Sequence, residues 1–421
     1  MYTLLIYIAS LWLRAASLWN RKIRLFVKGR KNLLPRIEDA VKGHDGIIWF
    51  HVASMGEFED ARPVIEETRK RYPQRKILLT FFSPSGYEHM KGWKTVDWVF
   101  YLPMDTRRNA RRFIAAVRPS KAVFTIGEYW FNYLEQLRLH GIDTYIMSVL
   151  LSKDSPYVKW YGGAYRRVLK NVYRCVMAKN AETRDSLLGI GCRNVVLAGD
   201  ARIDRVMKIA AEEWHDKIVE TWTGGAKVAV AGSTGVKDDE LFISLVQKYP
   251  QDKFLFIPHE LDEAPIRHIL ASARRGAVLY TDVEYTLSSG IPDKARSEMM
   301  QSLSKAQVLV VNKIGILSRL YRYGWCALVG GGFTNLPHSV MEAAVYGLPV
   351  AMGPQYHKNI QFVDLMKLGA ATPVENENDI QNWYSRYRAN EEELSNARKI
   401  ISEYCRKNSG ATSRIMEAMD L

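Results

Sequence analysis

The sequence predicts an α/β chain of two Rossmann-like domains facing across a cleft, with an N-terminal membrane-anchoring helix. Three observations carry this. From residue 46, short apolar, β-branched runs alternate with amphipathic helical patterns, as in a parallel sheet covered on both faces. The alternation gives way to a charged helical stretch at 201–219 and then starts again. Residues 2–19, YTLLIYIASLWLRAASLW, are nearly all apolar and precede a run of basic residues.

The N-terminal stretch is too long for the core of a signal peptide, and no small-residue cleavage site follows it. As one helix it would reach roughly 27 Å, just under the hydrocarbon core of a bilayer. Arg21, Lys22, Arg24, Lys28, Arg30 and Lys31 come next, which keeps the following chain on the cytoplasmic side. The expected role is an anchor, spanning or lying in the interface; the alternative is an apolar helix docked on the protein.

Strands are predicted at 46–52, 76–82, 97–102, 121–126, 143–149, 174–177 and 194–197, with helices between most of them. In the second half they fall at 227–231, 253–257, 277–281, 307–311, 326–329 and 349–352, and a charged helical region closes the chain from about 375 to 419. The expected divisions are an anchor at 1–30 and two Rossmann-like domains at 31–205 and 206–421. A chain of 421 residues is long enough for each domain to bury a core. Its net charge of +14 points to a polyanionic partner: nucleic acid, an anionic membrane surface or a phosphorylated substrate. Four cysteines in no C-x-x-C pattern suit a reducing compartment and a packing role.

Ligands of open α/β sheets sit at the carboxyl ends of the strands, so the loops there matter most. After the first strand, HVASMGEFE places Glu57 at the start of a helix, where the dipole favours a carboxylate suited to act as a base. An ordinary helix-start glutamate is the competing reading. FSPSG (82–86) offers two serines, GEYW (127–130) carries Glu128, and GDARID (199–204) carries Arg202, a lone cation where the linker begins. In the second half, GSTG (232–235) could approach a phosphate but lacks the P-loop pattern. Pro258 and His259 end one strand, and Gly315 in NKIGILS lets backbone groups meet a flat base. His338, Ser339 and Glu342 surround the expected start of a helix, where free N–H groups favour a phosphate and Glu342 can accept from a ribose diol. No metal-ligand spacing and no G-x-S-x-G nucleophile motif occur. Arg107, Arg108, Arg111 and Arg112 share one helix and could face lipid phosphates, nucleic acid or solvent; no nucleic-acid-binding motif accompanies them.

The chain resembles the 3-deoxy-D-manno-octulosonic acid (Kdo) transferases of lipopolysaccharide biosynthesis. The resemblance rests on the apolar N-terminus, HVASMGE, T-x-x-SPSG, GEYW, AGDARID, the IPH loop, NKIGIL-x-x-LY and HSVMEAAVYGLPVAMGP, in that order along nearly the whole chain. It implies a GT-B fold and an inverting glycosyltransferase, with the acceptor bound by the domain at 31–205 and the donor by the domain at 206–421. Kdo would move from CMP-Kdo to a 6-hydroxyl of the tetraacyl lipid A precursor, at the cytoplasmic face of the bacterial inner membrane. It implies no cofactor beyond the donor CMP-Kdo, no metal and no nucleic-acid partner. By the same resemblance Glu57 is the general base, and Glu128 and Arg202 stabilise the transition state. Pro258, His259, Ile314, Gly315, Ile316, His338, Ser339, Val340, Met341 and Glu342 hold CMP. The chain departs from the family where Pro258-His259-Glu260 replaces Pro-Arg-His, His338-Ser339 replaces His-Asn, and Gly199-Asp200 with Arg202 replaces Gly-Asn with Lys. Gly315-Ile316-Leu317 replaces a GEL triplet, and 333–337 reads as an insertion. Two other readings stay open: a GT-B epimerase or transferase acting on another nucleotide sugar, and a non-catalytic basic protein with a steep salt dependence.

Overall fold

The computed structural model describes residues 2–127, 129–151, 155, 157–288, 290–334 and 336–421. The chain divides into two units: residues 1–204 with 408–421, and residues 205–407.

The first unit is built on seven parallel strands: β1 (Ile47–Val52), β2 (Ile77–Phe81), β3 (Trp98–Tyr101), β4 (Pro119–Thr125), β5 (Asp143–Val149), β6 (Cys175–Ala178) and β7 (Val195–Leu197). Their order is β3-β2-β1-β4-β5-β6-β7. The strand order reverses between β1 and β4, which makes their carboxyl ends the switch point. Every residue of β1 is buried, because helices cover both faces. Ile47 and Trp49 face one core, and Ile48, Phe50 and Val52 the other, following the period of two.

The second unit repeats the plan with β8 (Val228–Thr234), β9 (Lys253–Pro258), β10 (Ala277–Leu279), β11 (Val308–Val310), β12 (Gly324–Val329), β13 (Val350–Met352) and β14 (Ala371–Pro373). All pair in parallel, in the order β10-β11-β9-β8-β12-β13-β14, with the switch point between β8 and β12. Strand β14 has no counterpart in the sequence reading.

The N-terminal helix is shorter than the apolar stretch 2–19. The stretch forms α1 (Tyr2–Ala16), and Asn20 then caps a separate α2 (Arg21–Gly29) by accepting from the N–H groups of Lys22 and Ile23. Fifteen residues span about 22 Å. Among the described residues no helix is long and apolar enough to cross a membrane, so the spanning form of the expected anchor is not seen. Nor is the segment a domain apart. The Tyr2 hydroxyl donates to Asp105 at 2.8 Å, Thr3 to Asn132 at 3.1 Å, and the Tyr2 ring meets Phe131 edge-on. The rest of α1 leaves Leu4, Leu5, Ile8, Leu11 and Trp12 exposed.

The C-terminal boundary also differs from the expected 206–421. The helix Ala411–Ala418 belongs to the first unit, where Ala411, Ile415, Met416 and Met419 join the core behind β1. Asp204 fixes its start by accepting from the N–H groups of Gly410 and Thr412, both at 2.6 Å. Arg414 donates to the Ala198 carbonyl.

Candidate active site

In the first unit the loop after β1 turns into α4 (Met55–Arg71). Ser54 is its N-cap, accepting from the Glu57 N–H, and Glu57 Oε2 accepts from the Ala53 N–H at 2.6 Å. This reciprocal cap holds the Glu57 carboxylate, half-buried, at the switch point. The neighbouring loop is tied to it: Ser83 N–H donates to the Ala53 carbonyl at 2.7 Å, and Ser83 caps α5 (Pro84–Met90). Across the switch point, Ile126 follows β4 with φ of +65°, a strained value for a β-branched residue, held by its N–H bond to the Met147 carbonyl. Strain of this kind is not legible in a sequence. Glu128, two residues on, lies outside the described residues.

His51, the penultimate residue of β1, is fully buried, with Nδ1 2.9 Å from Thr80 Oγ1. Burial pushes its pKa down to about 3, so it is neutral at pH 7. Asp105 goes the other way: burial raises its carboxyl to about 6. Between pH 4 and 6 the unfolded chain binds the His51 proton that the folded chain refuses, so stability falls as pH falls. Over the same window the folded chain binds the Asp105 proton that the unfolded chain has lost, so stability rises as pH falls. The two slopes oppose. We expect Asp105→Asn to unmask a loss of about 1.4 kcal/mol per pH unit below pH 6 in urea unfolding. An unchanged pH slope in that variant would sink the assignment.

Arg202 is not the lone cation that the sequence suggests. It bonds Asp200 at 2.6 Å and Asp60 at 3.2 Å, while Lys179 reaches Asp60 at 2.5 Å and Asp200 at 3.5 Å. Asp60 is 3% and Asp200 5% exposed at the side chain, so this is a buried network rather than a surface pair. Burial alone would raise the Asp200 pKa, but Lys179 and Arg202 hold it well below the usual carboxylate range. For Arg202, burial works downward and is outweighed by Asp200 and Asp60, which keep it firmly charged. Asp60 and Lys179 were missed because each reads alone as an ordinary polar residue.

In the second unit the loops after β8, β9 and β12 converge. Pro258 is the buried last residue of β9, and the N–H of exposed His259 donates to the Thr234 carbonyl. The His259 and His338 rings stack, with centroids 4.5 Å apart. Burial, reinforced by His259, pulls His338 down to about 4. Its backbone is held from both sides: its N–H donates to the Gly330 carbonyl and its carbonyl accepts from Asn359. That clamp keeps His338 out of a helix. The helix expected to begin near His338 is a single turn, Met341–Ala344, following buried Val340 and half-buried Ser339; Glu342 lies within it, also half-buried. The proposed N–H cradle for a phosphate at His338 and Ser339 is therefore not helical. Ile314 is 86% exposed, Gly315 takes φ of +94°, and Ile316 leads into the turn Leu317–Leu320.

Asp238, which the sequence reading passed over, links two of these loops. Its Oδ2 accepts from the N–H groups of Gly235 at 3.0 Å and Gly331 at 3.1 Å. The G-x-x-D spacing at the start of the helix Val236–Lys248 is the signal that could have found it. The ends of β12 and β13 meet backbone to backbone: a Cβ on Gly332 would lie 2.3 Å from the Gly353 nitrogen. We expect Gly332→Ala to destabilise the second unit by about 1–3 kcal/mol, seen as an earlier transition in thermal melts. An unaltered melt would refute this. Among the described residues no three His, Cys, Asp or Glu side chains gather as metal ligands.

A family model described as 3-Deoxy-D-manno-octulosonic-acid transferase (kdotransferase) matches residues 22–205. The 3-deoxy-D-manno-octulosonic acid transferase of Aquifex aeolicus is 24% identical over 361 residues, covering 83% of this chain and 88% of that one. The enzyme of the same name from Bordetella pertussis is 24% identical over 394 residues, covering 89% and 86%. Among solved structures, UDP-GlcNAc 2-epimerase from Neisseria meningitidis superposes with a TM-score of 0.58 at 15% identity, over 89% of this chain and 99% of that one. A glycosyltransferase from Rickettsia africae gives 0.53 at 10%, over 90% and 98%. At such identities the structural likeness speaks for the fold, two parallel-sheet α/β units of GT-B-like kind. The matched region at 22–205 and the relatives along more than three quarters of its length make this chain similar to the Kdo transferases.

Proposed function

We propose that the chain is an inverting transferase that moves Kdo from CMP-Kdo to a hydroxyl of the tetraacyl lipid A precursor. The observation that carries the reading is the Glu57 carboxylate, held by its reciprocal cap at the switch point of the first unit. In the reaction Glu57 takes the proton of the acceptor 6-hydroxyl as that oxygen bonds to the anomeric carbon of Kdo. The bond from that carbon to the phosphate oxygen breaks, and CMP leaves with the electron pair. Glu128 and Arg202 are assigned to the transition state, with Asp60 and Asp200 holding Arg202 in place. In the second unit, Pro258, His259, Ile314–Ile316 and His338–Glu342 are assigned to CMP. The stacked imidazoles would face its phosphate, the positive φ of Gly315 would let backbone meet the base, and Glu342 would accept from the ribose. No cofactor enters, since the donor brings its own leaving group.

The exposed apolar residues of α1 and the basic residues of α2 support attachment in the interface of an anionic membrane, on the cytoplasmic face of the inner membrane. The test is incubation of the chain with CMP-Kdo and the tetraacyl precursor, with the product resolved by mass. Addition of Kdo is expected. A chain inert with CMP-Kdo yet stabilised by a uridine nucleotide would overturn the donor and favour the other-nucleotide-sugar reading.

A further inference from the structure

A cavity of about 1000 Å³ lies in the first unit beneath α1 and α2, closed by the start of α3 (Leu33–Ala40), the segment after β3 and α6 (Arg107–Val117). It is as large as small-molecule sites become, at roughly 300–1,000 Å³. Its lining combines apolar or aromatic side chains, Tyr7, Leu13, Phe26 and Val27, with basic ones, Arg14, Lys28, Lys31 and Arg108. Among the described residues no carboxylate pairs with any of these four, whereas Arg112 on the same helix is neutralised by Glu38. Four uncompensated cations in one lining with apolar side chains are complementary to an anion that carries a hydrocarbon chain.

The position of the cavity adds to this. Arg30, also in its wall, donates to the carbonyls of Leu102 at 3.0 Å and Phe82 at 2.8 Å, and stacks on Phe26. Phe82 leads directly to Ser83, which is bonded to Ala53, whose N–H holds Glu57. The cavity therefore shares the strand edge on which Glu57 stands. The exposed apolar side chains of α1 lie on the helix that roofs it.

We propose that this cavity binds the phosphorylated end of an acylated amphiphile, its phosphate among Arg14, Lys28, Lys31 and Arg108 and one acyl chain against the apolar side chains. The inference rests on the function proposed above in one respect: there the amphiphile is the acceptor itself. A free phosphate would leave the apolar side chains unused, and a neutral lipid would leave the four cations unpaired.

The test uses the full chain with three probes: n-dodecyl phosphate below its micellar concentration, n-dodecyl maltoside and inorganic phosphate, each titrated by calorimetry. Dodecyl phosphate is expected to bind at least about tenfold more tightly than either of the others. The double variant Lys28→Ser/Arg108→Ser should lose about thirtyfold for dodecyl phosphate, the loss expected for two cations beside a lipid phosphate, and keep its affinity for CMP. Both side chains are exposed, so an unchanged melting temperature is the check on folding, and Arg14→Ser/Lys31→Ser is the second variant. Equal binding of the maltoside, or full retention of dodecyl phosphate by both variants, would overturn the proposal. None of these readings needs Kdo transfer. Tight, variant-sensitive binding of dodecyl phosphate by a chain inert with CMP-Kdo would uphold the cavity and refute the donor assignment alone.

Discussion

Replacing Glu57 with glutamine should slow transfer about 10²- to 10⁴-fold, the range lost when a positioned general base is removed. The affinity for CMP should not change, because the residues assigned to the nucleotide belong to the other unit. Glutamine is the informative substitution. Its amide oxygen can still accept from the Ala53 N–H, so the cap of α4 survives and only the capacity to take a proton is lost. Alanine would also lose the bond from the Ala53 N–H, half of that reciprocal cap, and confuse a folding defect with a chemical one. In steady-state kinetics the loss should fall on kcat, with KM for the lipid little altered. A glutamine variant with wild-type kcat would leave Glu57 as a helix cap and nothing more.

Removing the Lys179 ammonium should be the most damaging change to stability. Lys179→Met removes the ammonium that Asp60 and Asp200 share and leaves both carboxylates buried beside Arg202. Breaking a buried ionic network by deleting one partner costs about 3–5 kcal/mol. The cost comes from the stranded carboxylate more than from the lost attraction, so Lys179→Met/Asp60→Asn should recover part of it. The two changes should then be clearly non-additive in denaturant unfolding. Additive losses would mean that Asp60 is not held by Lys179 as described.

The strands were largely legible because each is buried on both faces and reads as a continuous apolar run. Strand β14 was not: it is three residues, Ala371–Pro373, ending in proline, and carries no period to detect. Glu57 was legible because its cap is local, spanning Ala53 to Glu57. The partners of Arg202 were not, because Asp60 and Lys179 come from distant elements that only the sheet brings together. The start of the helix near His338 was misplaced for a related reason. Gly330 and Asn359 hold that backbone through tertiary bonds that no local pattern announces. The N-terminal helix was expected to reach residue 19 because apolar character runs past Ser17, whereas α1 ends at Ala16.

The return of residues 411–418 to the first unit bears on how the protein is made. During synthesis β1 to β7 leave the ribosome long before Ile415 and Met416 exist, and the whole second unit is translated in between. Until then the face of α4 that includes Thr68, whose hydroxyl ends 3.4 Å from Met416 Sδ, has no cover. The nascent first unit must therefore wait, incompletely sealed, with an apolar strip that a chaperone could recognise. A stop codon just before Gly410 would make that waiting state permanent, so loss of a short distal peptide should harm the unit that was synthesised first.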